Sequence, residues 1–167
     1  PANGAVPPTA PEYVVFEGPG MDAFAESPEW GCTFVVLPFM YYETYGDDSL
    51  IRKYYNGMRR YIDYMTTRAN DGIVSFGLGD WYDYGDFRAG FSRNTPVPLV
   101  ATAHYYMVVR YLVEAARMLD NRYDVAYYTH LGEEINKAFH REFYHKDTRQ
   151  YGTGSQCSNA LPLFLGM

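Results

Sequence analysis

Phe76-Gly77-Leu78-Gly79-Asp80-Trp81-Tyr82-Asp83-Tyr84-Gly85-Asp86 lies between two long helical patterns and decides how the chain divides. Its glycines make it too permissive for a helix, and its aromatic rings are too many for a simple linker. Read as a long loop, it separates two helical hairpins. Its carboxylates, set beside flat aromatic faces, suit a sugar, whose hydroxyls seek acceptors and whose C–H faces stack on rings. The plain alternative is a structural loop in which Trp81 fills the core and the acids are solvated.

On the N-terminal side, Asp47-Asp48-Ser49 opens a helix running to about Arg68. Ile51, Tyr54, Tyr55, Met58, Tyr61, Ile62 and Met65 form its apolar stripe, and Arg52, Lys53, Asn56, Arg59, Arg60 and Asp63 fill the opposite face. That spacing predicts an amphipathic surface helix. Before it, Cys32 to Tyr45 is apolar or aromatic at nearly every position. The β-branched Thr33-Phe34-Val35-Val36-Leu37 could form a strand, but the run continues to a glycine stop at Gly46, which favours a buried helix kinked or begun at Pro38. Residues 1–29 hold most of the ten prolines without a steady period. They read as an extended leading segment ending in Ser27-Pro28, a helix opening.

On the C-terminal side the order repeats. Thr95-Pro96 opens a helix to about Leu119 whose first half is apolar apart from Thr102 and His104. Asp120-Asn121 turns the chain. Arg122 to Tyr144 is again one-faced, with Val125, Tyr128, Leu131, Ile135, Ala138, Phe139 and Phe143 on its apolar side. A loop from Lys146 to Ser155 precedes an apolar run from Ala160 to the end of the chain. Apolar runs thus begin near Cys32, Val97 and Cys157, a period of about sixty residues, longer than the roughly 34 to 47 of common helical repeats. One all-apolar helix and one amphipathic helix per repeat predict inner helices ringed by outer ones.

The expected fold class is therefore all-α, with repeated αα-hairpins forming part of a two-layered toroid. Its divisions are a leading segment over 1–29, a first hairpin over 30–70, a rim loop over 71–94, a second hairpin over 95–145, and a rim loop with a cut-short helix over 146–167. In that geometry the inner helices are the more deeply buried. The long loops share one rim and the minimal turns at Gly46-Asp47 and Asp120-Asn121 share the other. The long-loop rim carries Trp30, Asp80, Trp81, Tyr82, Asp83 and Gln156, the candidate binding residues, because long loops on a rigid scaffold are where recognition concentrates.

Composition narrows the partners. The net charge is −6 with no basic stripe, which argues against nucleic acid. No run is long and apolar enough to span a bilayer, so no membrane partner is expected. Cys32 and Cys157 are far apart and start apolar runs, so they read as buried thiols rather than a disulfide or metal pair. His104 reads as a satisfied core histidine. His130, His140 and His145 lack partners at metal spacing, Glu133-Glu134 is an exposed pair, and Gly77-x-Gly79 lacks a phosphate-loop lysine. No cofactor is expected.

Four pieces in register with the hairpin period resemble the catalytic domain of bacterial α-L-rhamnosidases, glycoside hydrolase family 78. They are Ser27-Pro28-Glu29-Trp30-Gly31, Tyr42-Glu43-Thr44-Tyr45-Gly46-Asp47, Gly79-Asp80-Trp81, and Gln156 with Asn159-Ala160-Leu161-Pro162-Leu163. Glu29 and Cys32 depart from the family pattern, where a small residue and an aspartate are common. The resemblance implies an (α/α)6 barrel, of which this chain supplies about two and a half of six hairpins. It further implies inverting hydrolysis releasing terminal L-rhamnose from a rhamnose-containing glycoside. Trp30 and Trp81 would be wall residues against the sugar ring, with Asp80 as polar partner. An inverting enzyme needs a general acid and a general base about 6.5–9.5 Å apart. In the family they lie upstream and on a later barrel loop, so no catalytic residue is expected within this chain and the remainder of the catalytic domain is an expected partner. Another (α/α)6 carbohydrate enzyme, glycosidase or polysaccharide lyase, would share the rim. A non-catalytic helical-repeat binding module would instead present a concave helix face.

Overall fold

The structure, a computed structural model, describes residues 2–167. Two short helices, α1 (Asp22–Ala25) and α2 (Pro28–Gly31), lead into the first long hairpin, α3 (Thr33–Tyr45) and α4 (Ser49–Arg68). A β-hairpin follows, β1 (Asp83–Gly85) with β2 (Phe87–Gly90), and then the second long hairpin, α5 (Val97–Met118) and α6 (Arg122–Phe143). Strands β3 (Tyr144–His145) and β4 (Gln150–Tyr151) form a second small hairpin before α7 (Gln156–Leu165).

The boundaries follow local chemistry. Gly46 ends α3 in the left-handed region at φ 69°, its N–H bonding Tyr42 O. Asp47 Oδ1 accepts from Ser49 N at 2.8 Å, satisfying one of the free donors at the start of α4. Asn121 caps α6 by accepting from Asp124 N at 3.1 Å, and Ser155 caps α7 by accepting from Ser158 N at 3.1 Å. Thr33 to Leu37 is helical, not a strand. Pro38 sits inside α3, where its missing N–H removes one helical bond.

Helix α5 is the centre of the packing and touches α3, α4, α6 and α7. Ile51, Met58, Ile62, Tyr105, Leu112, Tyr128 and Ile135 join α4, α5 and α6 in one core, while Leu99, Phe139 and Leu165 join α5, α6 and α7 in another. Each such fully buried apolar side chain contributes about 1.5–3 kcal/mol. Near one end of the hairpins, Asp124 ties the start of α6 to α4. It accepts from Tyr55 Oη at 2.6 Å and Asn121 Nδ2 at 2.8 Å, and Arg59 Nε lies 3.3 Å away.

Two expectations are corrected. Helix α5 is deeply buried, but α3 is not the better buried member of its own hairpin. Only Val35, Pro38 and Phe39 are buried on it, while Leu37 and Met40 are more than half exposed. An all-apolar helix is fully covered only where neighbours lie on every side, and among the described residues the long helices against which α3 chiefly packs are α4 and α5. Second, the two long loops are not without secondary structure, since each folds a small antiparallel hairpin. The last helix begins at Gln156, beside the expected start of the third run near Cys157, and the Ser155 cap organises its first turn.

Candidate functional site

The segments that precede α3, α5 and α7 meet at the end of the hairpins opposite Asp124. Glu29, in the first turn of α2, reaches across to the central loop. Its Oε1 accepts from Gly79 N at 3.0 Å and its Oε2 from Leu78 N at 3.3 Å. Ser27 Oγ donates to the same carboxylate and accepts from Leu78 N at 3.1 Å. Gly77, at φ 119°, lets the backbone pass close to Glu29. An added Cβ would stand 2.6 Å from Pro28 Cδ and 2.7 Å from Glu29 Oε2. The third loop is joined to the second by Thr153 Oγ1, which donates to Asn94 O, and by Thr95 Oγ1 and Ser155 Oγ, 2.7 Å apart.

Within this junction Trp30 and Trp81 converge on a single ring, Phe24. Its centroid lies 6.0 Å from Trp30 and 5.0 Å from Trp81, the latter edge to face at 79°. Phe91 stands 5.4 Å from Trp81 and Phe16 stacks 5.3 Å from Phe24. Trp81 keeps 38 % of its surface exposed. Trp30 also lines a groove of about 570 Å³ with Val6, Pro7, Thr33, Phe34 and Leu37.

Asp80, the residue before Trp81, points its carboxylate toward α5 and α7. Thr95 Oγ1 donates to Asp80 Oδ2 at 3.1 Å. Cys157 lies beside the same acid, and burial first, then the Asp80 charge, pushes its thiol up to about 11. Burial likewise pushes the Cys32 thiol up to about 11, so both stay protonated at neutral pH. Asp83 turns inward. Its Oδ2 accepts from Arg93 N at 2.8 Å and Asn94 N at 2.6 Å, and its Oδ1 from Asn94 Nδ2 at 2.6 Å and Tyr84 N at 2.9 Å. Those backbone donors, Arg93 and Asn94 foremost, hold its carboxyl below the usual range. Tyr82 is left-handed at φ 68°, a strained setting for a non-glycine residue, and its ring is two-thirds exposed. Gln156 is exposed at the start of α7.

The sequence profile of the bacterial alpha-L-rhamnosidase 6 hairpin glycosidase domain matches residues 1–167. The chain belongs to this family. It is similar to an alpha-L-rhamnosidase of Formosa agariphila, 28 % identical over 148 residues, which are 83 % of this chain and 15 % of that protein. An alpha-L-rhamnosidase of Streptomyces avermitilis is 27 % identical over 140 residues, 83 % of this chain and 12 % of that protein. Among solved structures, the alpha-L-rhamnosidase of Dictyoglumus thermophilum superposes with a TM-score of 0.82 at 27 % identity, covering 98 % of this chain and 18 % of that one. The Streptomyces avermitilis enzyme complexed with L-rhamnose gives 0.83 at 24 % identity, over 99 % of this chain and 15 % of that one, a likeness of fold alone. The chain spans less than a fifth of each of these relatives.

For a rhamnosidase-family chain the site differs from its sequence reading in emphasis. Trp30, Trp81 and Asp80 share one junction, whereas Asp83 is spent on the loop's own amides, and Tyr82 and Gln156 are exposed. Phe24, Phe91, Thr95 and the stapling role of Glu29 were not read from the sequence. The first two lie in aperiodic segments, and nothing in a lone threonine or glutamate reveals which distant backbone it will meet.

Proposed function

We propose that this chain is a segment of a glycoside hydrolase that releases terminal α-L-rhamnose by inverting hydrolysis. Its loops furnish part of the sugar-binding wall, and the general acid and base come from other segments of the catalytic domain. Trp30 and Trp81 offer apolar faces, and Asp80 accepts hydroxyl hydrogen bonds from the sugar. Tyr82 and Gln156 flank that wall, and Asp83 shapes the loop carrying it. The observation that carries the reading is the convergence of both tryptophans on one junction beside Asp80, in a chain that belongs to the rhamnosidase six-hairpin family. The rest of the catalytic domain packs on the open apolar surfaces of α3, at Leu37 and Met40, and of α7, at Leu163 and Phe164.

The test uses the intact enzyme that carries this segment. Trp81→Ala lowers kcat/KM for a chromogenic α-L-rhamnoside by roughly 1–3 kcal/mol in free-energy terms. Asp80→Asn costs at least as much, since a charged acceptor makes the stronger hydrogen bond. Lowered Tm with kcat/KM of the folded fraction unchanged, for both variants, would make the central loop scaffold only.

A further inference from the structure

Thr95 is 1 % exposed and stands where three segments meet: the central loop, the start of α5 and the cap of α7. Its hydroxyl oxygen lies 3.1 Å from Asp80 Oδ2 and 2.7 Å from Ser155 Oγ. A hydroxyl carries a single proton, so Thr95 can serve one of these neighbours as donor and must accept from the other. An anionic oxygen draws that proton more strongly than a neutral hydroxyl does. Thr95 therefore donates to Asp80, and Ser155 donates to Thr95. At the other side Ser155 Oγ accepts from Ser158 N at 3.1 Å and is also placed to donate to the fully buried Ser158 Oγ at 2.8 Å, so Thr95 and Ser158 compete for the single Ser155 proton.

We propose that Thr95 is a positioning residue for Asp80, and that Ser155 sets the direction of the Thr95 hydroxyl from the end of α7. This rests on the reading of Asp80 as an acceptor for sugar hydroxyls. Among the described residues, Thr95 supplies the one hydroxyl bonded to the Asp80 carboxylate. Holding Oδ2 this way fixes the plane of the carboxylate and aims Oδ1. The backbone of Thr95 is itself clamped, since Ser92 Oγ donates to Thr95 O and Thr153 Oγ1 donates to the preceding carbonyl of Asn94. An anchor of that rigidity transmits orientation rather than merely filling space.

The experiment compares Asp80→Asn, Thr95→Val, Thr95→Ser and Ser155→Ala in the intact enzyme, recording KM, kcat and Tm for a chromogenic α-L-rhamnoside. Valine keeps the β-branched shape and removes the hydroxyl. Thr95→Val is expected to lower kcat/KM about tenfold or more, the scale of one hydrogen bond to a charged group. Thr95→Ser, which restores the hydroxyl, returns most of that loss, and Ser155→Ala produces a smaller fall in the same parameter. If Asp80→Asn impairs turnover while folded Thr95→Val matches the unaltered enzyme, the positioning role is wrong and the binding wall stands. If Asp80→Asn itself leaves kcat/KM unchanged, the binding reading fails first. Should Thr95→Val not fold, a cycle of Asp80→Asn with Ser155→Ala decides. Coupled kinetic effects support the chain, and simply additive ones overturn it.

Discussion

Phe24 stands edge-on to Trp81, their ring centroids 5.0 Å apart and their planes at 79°. The same ring reaches Trp30 at 6.0 Å, so a residue from the leading segment joins the two tryptophans of the chain. Edge-to-face aromatic pairs contribute about 0.5–1.5 kcal/mol beyond their buried area. Phe24 therefore sets the orientation of both faces proposed to meet the sugar.

Phe24→Ala should release that pair. In the 167-residue chain Trp30 and Trp81 are the two tryptophans, so its intrinsic tryptophan fluorescence reports on this junction. The expected outcome is emission shifted to longer wavelength, far-UV circular dichroism nearly unchanged, and stability reduced by about 1–3 kcal/mol. Unshifted emission would contradict the packing.

Asp83 gives a pH dependence of defined sign. Its carboxyl is held below the usual range by the amides of Arg93 and Asn94, so the folded state binds its proton less readily than the unfolded chain. Its stabilisation is present above the unfolded carboxylate pKa of about 3.9 and fades as pH falls through the lower folded value. Asp83→Asn should lower Tm at neutral pH and flatten the fall in Tm on acidification. A variant with the same acid limb as the parent would show that this carboxylate is not a contributor.

Gly77→Ala tests the close approach of the central loop to α2. At φ 119° any side chain is strained, and the new Cβ would meet Pro28 Cδ at 2.6 Å. A destabilisation of at least about 1–3 kcal/mol is expected, read as a lower denaturant midpoint with unchanged slope. A neutral substitution would mean the loop passes farther from Glu29.

The chain by itself should not turn over a chromogenic α-L-rhamnoside. Loss of a general acid or a general base each removes about 10²–10⁴-fold of the rate. Turnover above background by the purified 167-residue chain would place catalytic carboxylates among its own residues.

The hairpins were legible because their signals are local. Gly46 stops α3, Asn121 caps α6, and the stripe from Ile51 to Met65 tells a helix which side to bury. Depth was less legible. The all-apolar α3 and α5 look alike as strings, yet burial depends on how many neighbours each receives, which periodicity does not encode. The site was half legible. Residue type marked Asp80, Trp81 and Trp30, but Asp83, identical in kind to Asp80, turns toward its own loop because Arg93 and Asn94 present three donors there. Phe24 was invisible, since the leading segment has no period to place it and its partners lie across the fold.

Glu29 makes two distant stretches of sequence a single structural unit. Its carboxylate completes the hydrogen bonding of Leu78 and Gly79, and Gly77 leaves the clearance that carboxylate occupies. A central loop transplanted alone into a relative with a small residue at the position of Glu29 would arrive with the Gly79 amide lacking its acceptor and Leu78 N left to Ser27 Oγ alone. Grafting the central loop between such proteins should preserve its fold only when residues 27–30 travel with residues 76–81.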